Sequence, residues 1–413
     1  MTASHEVPAP GGPGIADLAA VRSDTPGCRD QVFLDSAGSS LPPAPVLTTV
    51  IEHLRRESEV GGYRAAAEQQ EVLEGGYGTF AELLGCAPDE VAFTDSATRS
   101  WLNLLDAVPF REGDRVLVGE SEYAANAVAL LRHAERFGTR LEVVPSDGSG
   151  QLDVAALRDR LDERVRLVSA VHVPTQGGLV NPVREITRAA HEAGALVLLD
   201  ACQSVGQLPV RMDELGVDML TGTGRKWLRG PRGTGFLAVR RSVLEHLAPR
   251  LIDHSGASWV AERAYRLRAD ARVLQLWETG IAERLGLIRA AEYLLELGVA
   301  EVATSVAWRA AYLREALAGI PGVRVHDLGE RTCGIVTFTV AGVDPGRVRD
   351  RLAERDVTVT VSTAASSRMD LPRRGLDAVV RASPHYFVTA GELDACVALV
   401  ADLARMAGAS PRS

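Results

Sequence analysis

Gly194-Ala195-Leu196-Val197-Leu198-Leu199-Asp200-Ala201-Cys202-Gln203-Ser204-Val205-Gly206 is the stretch that decides the fold class. The unbroken apolar run Ala195–Leu199 reads as a strand buried on both faces, the kind found in parallel sheets covered by helices. Asp200 ends that run. A carboxylate directly after a buried strand is costly unless a cation or strong donor faces it, although helix capping would also satisfy it. Just upstream, Pro182–Ala193 has helical periodicity, with Pro182 at its start and Gly194 as a C-cap.

Outward from there, the chain from about 30 to 240 alternates short β-type runs with helical patterns. The expected strands are Val91–Thr94, Arg115–Val118, Leu141–Val144, Arg166–Val171, Ala195–Leu199, Val217–Leu220 and Gly235–Val239. Between them lie helical stretches at Trp101–Val108, Tyr123–Phe137 and Val154–Leu161. This pattern predicts an α/β fold with a seven-stranded, mostly parallel sheet. Beyond residue 240 a long helical region (280–318), short strands (Gly334–Val340, Val357–Val361, Val379–Ala382) and helices near 345–355 and 391–406 predict a smaller α+β domain. The expected organisation is a flexible arm over 1–30, a large domain over 31–275, and an interdomain helix with the small domain over 276–413.

Composition narrows the class. A net charge of −9 over 413 residues argues against a nucleic-acid binder, which needs a basic face. No apolar stretch approaches the roughly 20 residues of a membrane span, and the first residues lack a signal-peptide pattern. Five scattered cysteines without a C-x-x-C pair suggest reduced thiols, a cytoplasmic setting and no metal site. The chain has a single lysine, Lys226, among 45 basic residues. Arginine replaces lysine wherever only charge is needed, so the survivor is either a chance surface residue or a group that must lose its proton and attack a carbonyl.

Three features follow expected strands, where open α/β sheets bind ligands. In Thr94-Asp95-Ser96-Ala97-Thr98 a strand gives way to a helix whose exposed amides suit a phosphate, although Ser and Thr are also ordinary caps. Asp200 is the second feature. The third is Thr221-Gly222-Thr223-Gly224-Arg225-Lys226-Trp227-Leu228-Arg229-Gly230-Pro231-Arg232-Gly233, which carries the lysine but departs from both nucleotide-binding glycine motifs. A phosphate cup, a carboxylate for a pyridinium and a lysine for a carbonyl are what pyridoxal phosphate requires.

With Phe33-Leu34-Asp35-Ser36-Ala37-Gly38 and the run from Val171-His172-Val173-Pro174-Thr175-Gln176 to Gly206, these motifs resemble the class V aminotransferases, fold-type I enzymes of pyridoxal 5'-phosphate, over about 31–405. The resemblance implies that Lys226 bonds to the cofactor aldehyde and Asp200 keeps the pyridine nitrogen protonated. It also implies that Ala97, Thr98 and Thr223 hold the phosphate and that Gln203, with Thr175 or Gln176, lies at the ring hydroxyl. Tyr123 falls where desulfurases place a ring-stacking histidine. Arg381 matches the arginine that binds a substrate carboxylate, with Gly38 and Arg64 as further substrate contacts and Arg232 as an alternative clamp. The family also implies a homodimer, with Gly280 of Trp277-Glu278-Thr279-Gly280-Ile281 reaching the partner's phosphate.

Three departures are informative. Desulfurases need a cysteine on the loop before the carboxylate-binding arginine, and Ser362–Met369 has none; Cys333 and Cys396 fall in an expected strand and helix. Arg225 stands where the family usually has histidine, and can join in binding the phosphate but cannot shuttle protons. Ile281 lacks the hydroxyl usual at its position. The motifs Glu57–Tyr63 and Arg225–Gly233 resemble the ergothioneine-pathway C–S lyases and isopenicillin N epimerase-like enzymes. The expectation is therefore a lyase that β-eliminates an S-substituted cysteine or its sulfoxide in sulfur-containing natural-product biosynthesis. The alternatives are a decarboxylating deaminase, epimerase or aminotransferase on a related cysteine conjugate, and a non-catalytic protein of the same fold.

Overall fold

The computed structural model describes residues 13–409. Its large sheet has seven strands: β1 (Val91–Thr94), β2 (Arg115–Gly119), β3 (Arg140–Val144), β4 (Val165–Val171), β5 (Leu196–Asp200), β6 (Met219–Thr223) and β7 (Gly235–Val239). They lie in the order β1-β7-β6-β5-β4-β2-β3. Only β7 runs antiparallel to its neighbours, so the expected seven-stranded, mostly parallel α/β sheet is present.

Alternate residues of the central strands enter separate cores. Val116, Val118, Leu198 and Met219 pack under Trp101 and Leu104, while Leu117, Val197, Leu199 and Leu220 join the larger cluster on the opposite face. Two-sided burial is why these strands read as continuous apolar runs. The helix Ala97–Ala107 begins against β7 because Gly235 has no side chain: a Cβ there would lie 2.2 Å from the Ser96 carbonyl carbon.

A second, antiparallel sheet is built from β8 (Val323–Val325), β9 (Val336–Val340), β10 (Thr360–Thr363) and β11 (Ala378–Ala382), in the order β8-β9-β11-β10. The helical region 280–318 is two helices, Ile281–Leu297 and Val299–Ala318, divided at Gly298 with φ +85°. The helices Ala44–Val60, Gly62–Glu68 and Gln70–Leu84 and the exposed hairpin Ala257–Ala261/Ala264–Leu267 were not among the sequence expectations.

The expected flexible arm needs correction. Residues 1–12 lie outside the described residues, but 13–30 are packed. Leu18–Ser23 is a helix, Val21, Thr25 and Cys28 are buried, and Arg22 forms an ion pair of 2.9 Å with Glu392. Burial of Val21 and Cys28 outweighs the turn-forming composition. The start of the expected large domain likewise associates with the small one: Val32–Phe33 pairs in parallel with Val357–Thr358, and Asp35 bridges to Ser383. Cys333 lies just before β9 rather than inside a strand.

Candidate active site

The carboxyl ends of β1, β4, β5 and β6 open onto one cavity of about 240 Å³, lined at one end by Asp95, Ser96, Ala97, Thr98, Thr223 and Thr234, and elsewhere by Tyr123, Thr175, Asp200, Gln203, Arg225 and Lys226. Parallel strands that end together deliver residues from distant segments to one crevice.

At the first end, Ser96 Oγ caps the helix by accepting from Arg99 N at 3.1 Å. The amides of Ala97 and Thr98, in the first helical turn, have no intrahelical acceptor and lie at the positive end of the helix dipole. Gly235 pairs across the sheet with both Thr94 and Thr223, which draws this helix start beside the lysine strand. The result is a cradle for a phosphate group.

Asp200 is 7% exposed, and donors meet both its oxygens. Cys202 N donates to Oδ1 at 2.9 Å, and Asn126 Nδ2 donates to Oδ2 at 3.0 Å. This anchored carboxylate can receive a ring N–H. Lys226 follows β6 on the wall of the same cavity, and burial lowers its amine below the usual lysine range, which favours the neutral, nucleophilic form. Tyr123, 37% exposed, presents its ring to the cavity from the start of the helix Ala124–Phe137, and burial raises its phenol. Cradle, carboxylate and buried lysine in one cleft fit the phosphate, pyridine nitrogen and aldehyde of pyridoxal phosphate.

Gln203 lines the cavity with its amide already engaged, donating to Ala37 O at 2.9 Å and Thr175 Oγ1 at 3.3 Å and accepting from Trp227 Nε1 at 2.9 Å. Of the pair Thr175 and Gln176, only Thr175 reaches the cavity; Gln176 turns away to donate to Asp370 at 2.9 Å. Arg381 is buried behind Thr175, donating to its Oγ1 at 2.8 Å, and its Nε has no partner among the described residues. Arg225 donates to Gly38 O, which brings the Asp35–Gly38 turn onto the lysine loop.

Two expected site residues lie elsewhere. Arg64 is on an exposed helix face, paired with Glu68 at 3.3 Å, because its helix packs outside the cleft. Gly280 lines a separate cavity beside Tyr63 and Trp277. Arg232, weighed as an alternative clamp, is exposed at the rim of the first cavity. Sequence reasoning missed Asn126, Glu122 and Cys202 as site residues. The spacing of Glu122 and Asn126 by four across a helix start was their only local signal.

The sequence model of the family described as Aminotransferase class-V matches residues 32–396. A probable cysteine desulfurase of Mycobacterium leprae is 34% identical over 413 aligned positions, covering 92% of this chain and 95% of the relative. Among solved structures, a cysteine desulfurase from Thermococcus onnurineus NA1 superposes with a TM-score of 0.88 at 23% identity, over 95% of this chain and 98% of that one. A cystine C–S lyase in complex with its product cysteine persulfide gives 0.83 at 22% identity, over 92% and 99% of the two chains. This chain belongs to the class-V aminotransferase family and is a pyridoxal 5'-phosphate enzyme of fold type I.

Proposed function

We propose that this enzyme cleaves the C–S bond of an S-substituted cysteine, or of its sulfoxide, by β-elimination. One observation carries the reading: the loop Ser362–Met369, which precedes Arg381 in the small domain, offers hydroxyls and no thiol. Cys28, Cys333 and Cys396 are buried, and burial pushes the last two up to about 12. Cys202 lines the cleft, but burial and the Asp200 charge raise its thiol well above the usual range, so it stays protonated and weakly nucleophilic. Cys86 does not line the cleft, and burial pushes it too up to about 12, so no thiolate is in place to accept sulfur as a persulfide.

Pyridoxal phosphate, when bound, supplies an electron sink for charge developing at the substrate's Cα. In this reading Ala97, Thr98 and Thr223 hold its phosphate, Asp200 its pyridine nitrogen, and Tyr123 covers the ring, with Gln203 and Thr175 beside the ring hydroxyl. Arg225 contributes a permanent cation. Arg381 binds the α-carboxylate, with Gly38 at the same edge of the cleft. Lys226 Nζ, whose amine burial lowers below the usual lysine range, accepts the α-proton. The sulfur departs with its substituent still attached and takes up a proton, and one water hydrolyses the remaining amino-acid fragment to pyruvate and ammonia.

We further assign the enzyme to cytoplasmic sulfur metabolism of the ergothioneine or natural-product kind, acting as a homodimer in which Gly280 approaches the partner's phosphate. Exposed Tyr63 and Trp277 beside Gly280 support that assembly. Persulfide formation is a second reading, favoured by the desulfurase relative.

Incubating pure enzyme with S-alkyl cysteines and with cysteine, and measuring pyruvate, thiol, alanine and carbon dioxide separately, tests both. Stoichiometric thiol and pyruvate are expected. Alanine with enzyme-bound persulfide supports the second reading. Carbon dioxide with an intact C–S bond overturns both in favour of decarboxylation.

A further inference from the structure

Behind the cavity, and absent from its lining, a buried chain of side chains ends on Asp200. Asn126 Nδ2 donates one hydrogen to Asp200 Oδ2 and the other to Glu122 Oε1, each at 3.0 Å. Glu122 Oε1 also accepts from Tyr123 N at 2.7 Å, and Oε2 from Ser169 Oγ at 2.8 Å. Glu122 is 4% exposed and Asn126 also 4%. Two carboxylates are therefore bridged in the interior by a single amide group.

We propose that Glu122 is a positioning residue for the cofactor site: by claiming the second hydrogen of Asn126 it fixes the amide so that its donor faces Asp200. With Glu122 ionised, a reversed Asn126 amide would set its carbonyl oxygen against two carboxylates that have no donor to offer it. The bond from Asn126, with that from Cys202 N, leaves Asp200 one preferred direction in which to accept a ring N–H. Without Asn126, one Asp200 oxygen loses its donor, and a buried carboxylate left short of donors is costly.

Glu122 faces Tyr123 N–H and Asn126 from the helix start, Ser169 from β4, and Asp200 from β5, whose charge also acts on it. Burial first, with the Asp200 charge adding to it, pushes Glu122 up to about 7. The Ser169 hydroxyl can turn to accept from the protonated acid, so both states fit. Proton uptake by Glu122 then relieves the repulsion on Asp200 without breaking the link through Asn126. None of this depends on which substrate bond the enzyme breaks.

The test is reconstitution of the full-length apo-protein with pyridoxal phosphate, followed by absorbance. Asn126→Ala and Glu122→Ala are each expected to weaken cofactor binding about tenfold, the loss of one hydrogen bond to a charged group. Glu122→Gln keeps an oxygen for Asn126 and is expected to bind within about twofold of the parent. The double variant Glu122→Ala/Asn126→Ala should bind no more weakly than Asn126→Ala alone, because Glu122 acts through Asn126.

The pH profile of the bound cofactor's spectrum should show a component near neutrality in the parent that is missing in Glu122→Gln. Parent-like cofactor affinity in Glu122→Ala, or losses that add in the double variant, would overturn the proposal. If circular dichroism shows Glu122→Ala unfolded, the Glu122→Gln pH profile decides, and an unchanged profile overturns it.

Discussion

Arg381 and Asp35, 346 positions apart in the chain, form an ion pair of 3.1 Å at the back of the cleft. The same guanidinium donates to Thr175, so Arg381 is pre-aimed by one residue from the N-terminal turn and one from the loop after β4. Its side chain is 8% exposed, and Asp35 compensates a charge that burial would otherwise penalise. In the proposed role of Arg381, a substrate carboxylate would meet an oriented fork rather than a mobile side chain.

Substitution of Arg381 tests that clamp. Losing a charge-assisted pair costs about 1.5–3 kcal/mol, so Arg381→Ala should raise KM roughly ten- to a hundredfold while bound-cofactor absorbance is retained. Arg381→Lys should recover little of this, because lysine keeps the charge and loses the fork. Steady-state kinetics with holoenzyme reads both. An unchanged KM would transfer the carboxylate to another arginine, with Arg232 at the cavity rim the next candidate.

Lys226 gives a clean chemical test because it is the only lysine in the chain. Borohydride reduction of holoenzyme should place the pyridoxyl label on a single peptide, the one containing Trp227, seen by mass spectrometry. Lys226→Ala should abolish the visible cofactor band. Label on the N-terminal amine alone would refute the assignment.

Arg229 ties the lysine loop to the N-terminal segment. It is 1% exposed, and it donates to Thr25 Oγ1 at 2.6 Å, Tyr386 Oη at 2.7 Å and Leu41 O at 2.8 Å. Hydrogen bonds to charged groups contribute about 1.5–3 kcal/mol each, so Arg229→Met should lower stability by about 3 kcal/mol or more. Denaturant unfolding measures the loss. Removal of residues 13–25 should reproduce part of it, since Thr25 is one of the three partners.

Two of the buried histidines, His385 and His172, contribute to acid sensitivity. His385 donates through Nε2 to Trp227 O at 2.9 Å and accepts at Nδ1 from Tyr386 N at 2.9 Å, an arrangement that fits only the neutral ring. Burial, with Arg229 nearby, holds it well below the usual histidine range, and burial brings His172 down to about 4. In both cases the unfolded chain binds the proton more readily. Their contribution is therefore complete above about pH 6.5, the unfolded value, and is lost as pH falls toward the folded value. Thermal melts between pH 5 and 8 should show Tm dropping below about 6.5, less steeply in His385→Gln.

The strands of the large sheet were legible because their cause is local. Ala195–Leu199 is largely buried on both faces and reads as an unbroken apolar run, and the strand ends and following turns at β1, β5 and β6 carried Thr98, Asp200 and Lys226 in recognisable surroundings. Composition misled over residues 13–30, whose glycines and prolines suggested an arm although the buried side chains Val21, Thr25 and Cys28 hold them to the body. Arg64 shows the same limit: a residue type suited to a carboxylate says nothing about which way its helix faces. The pairing of Arg381 with Asp35, the Arg229–Thr25 tie and the chain from Glu122 through Asn126 to Asp200 join segments between 74 and 346 positions apart, counted along Asn126–Asp200 and Asp35–Arg381. Periodicity and motif spacing report only neighbours in sequence. Side chains brought together across the sheet and between domains are decided by packing, which sets hydrogen-bond geometry to a few tenths of an ångström.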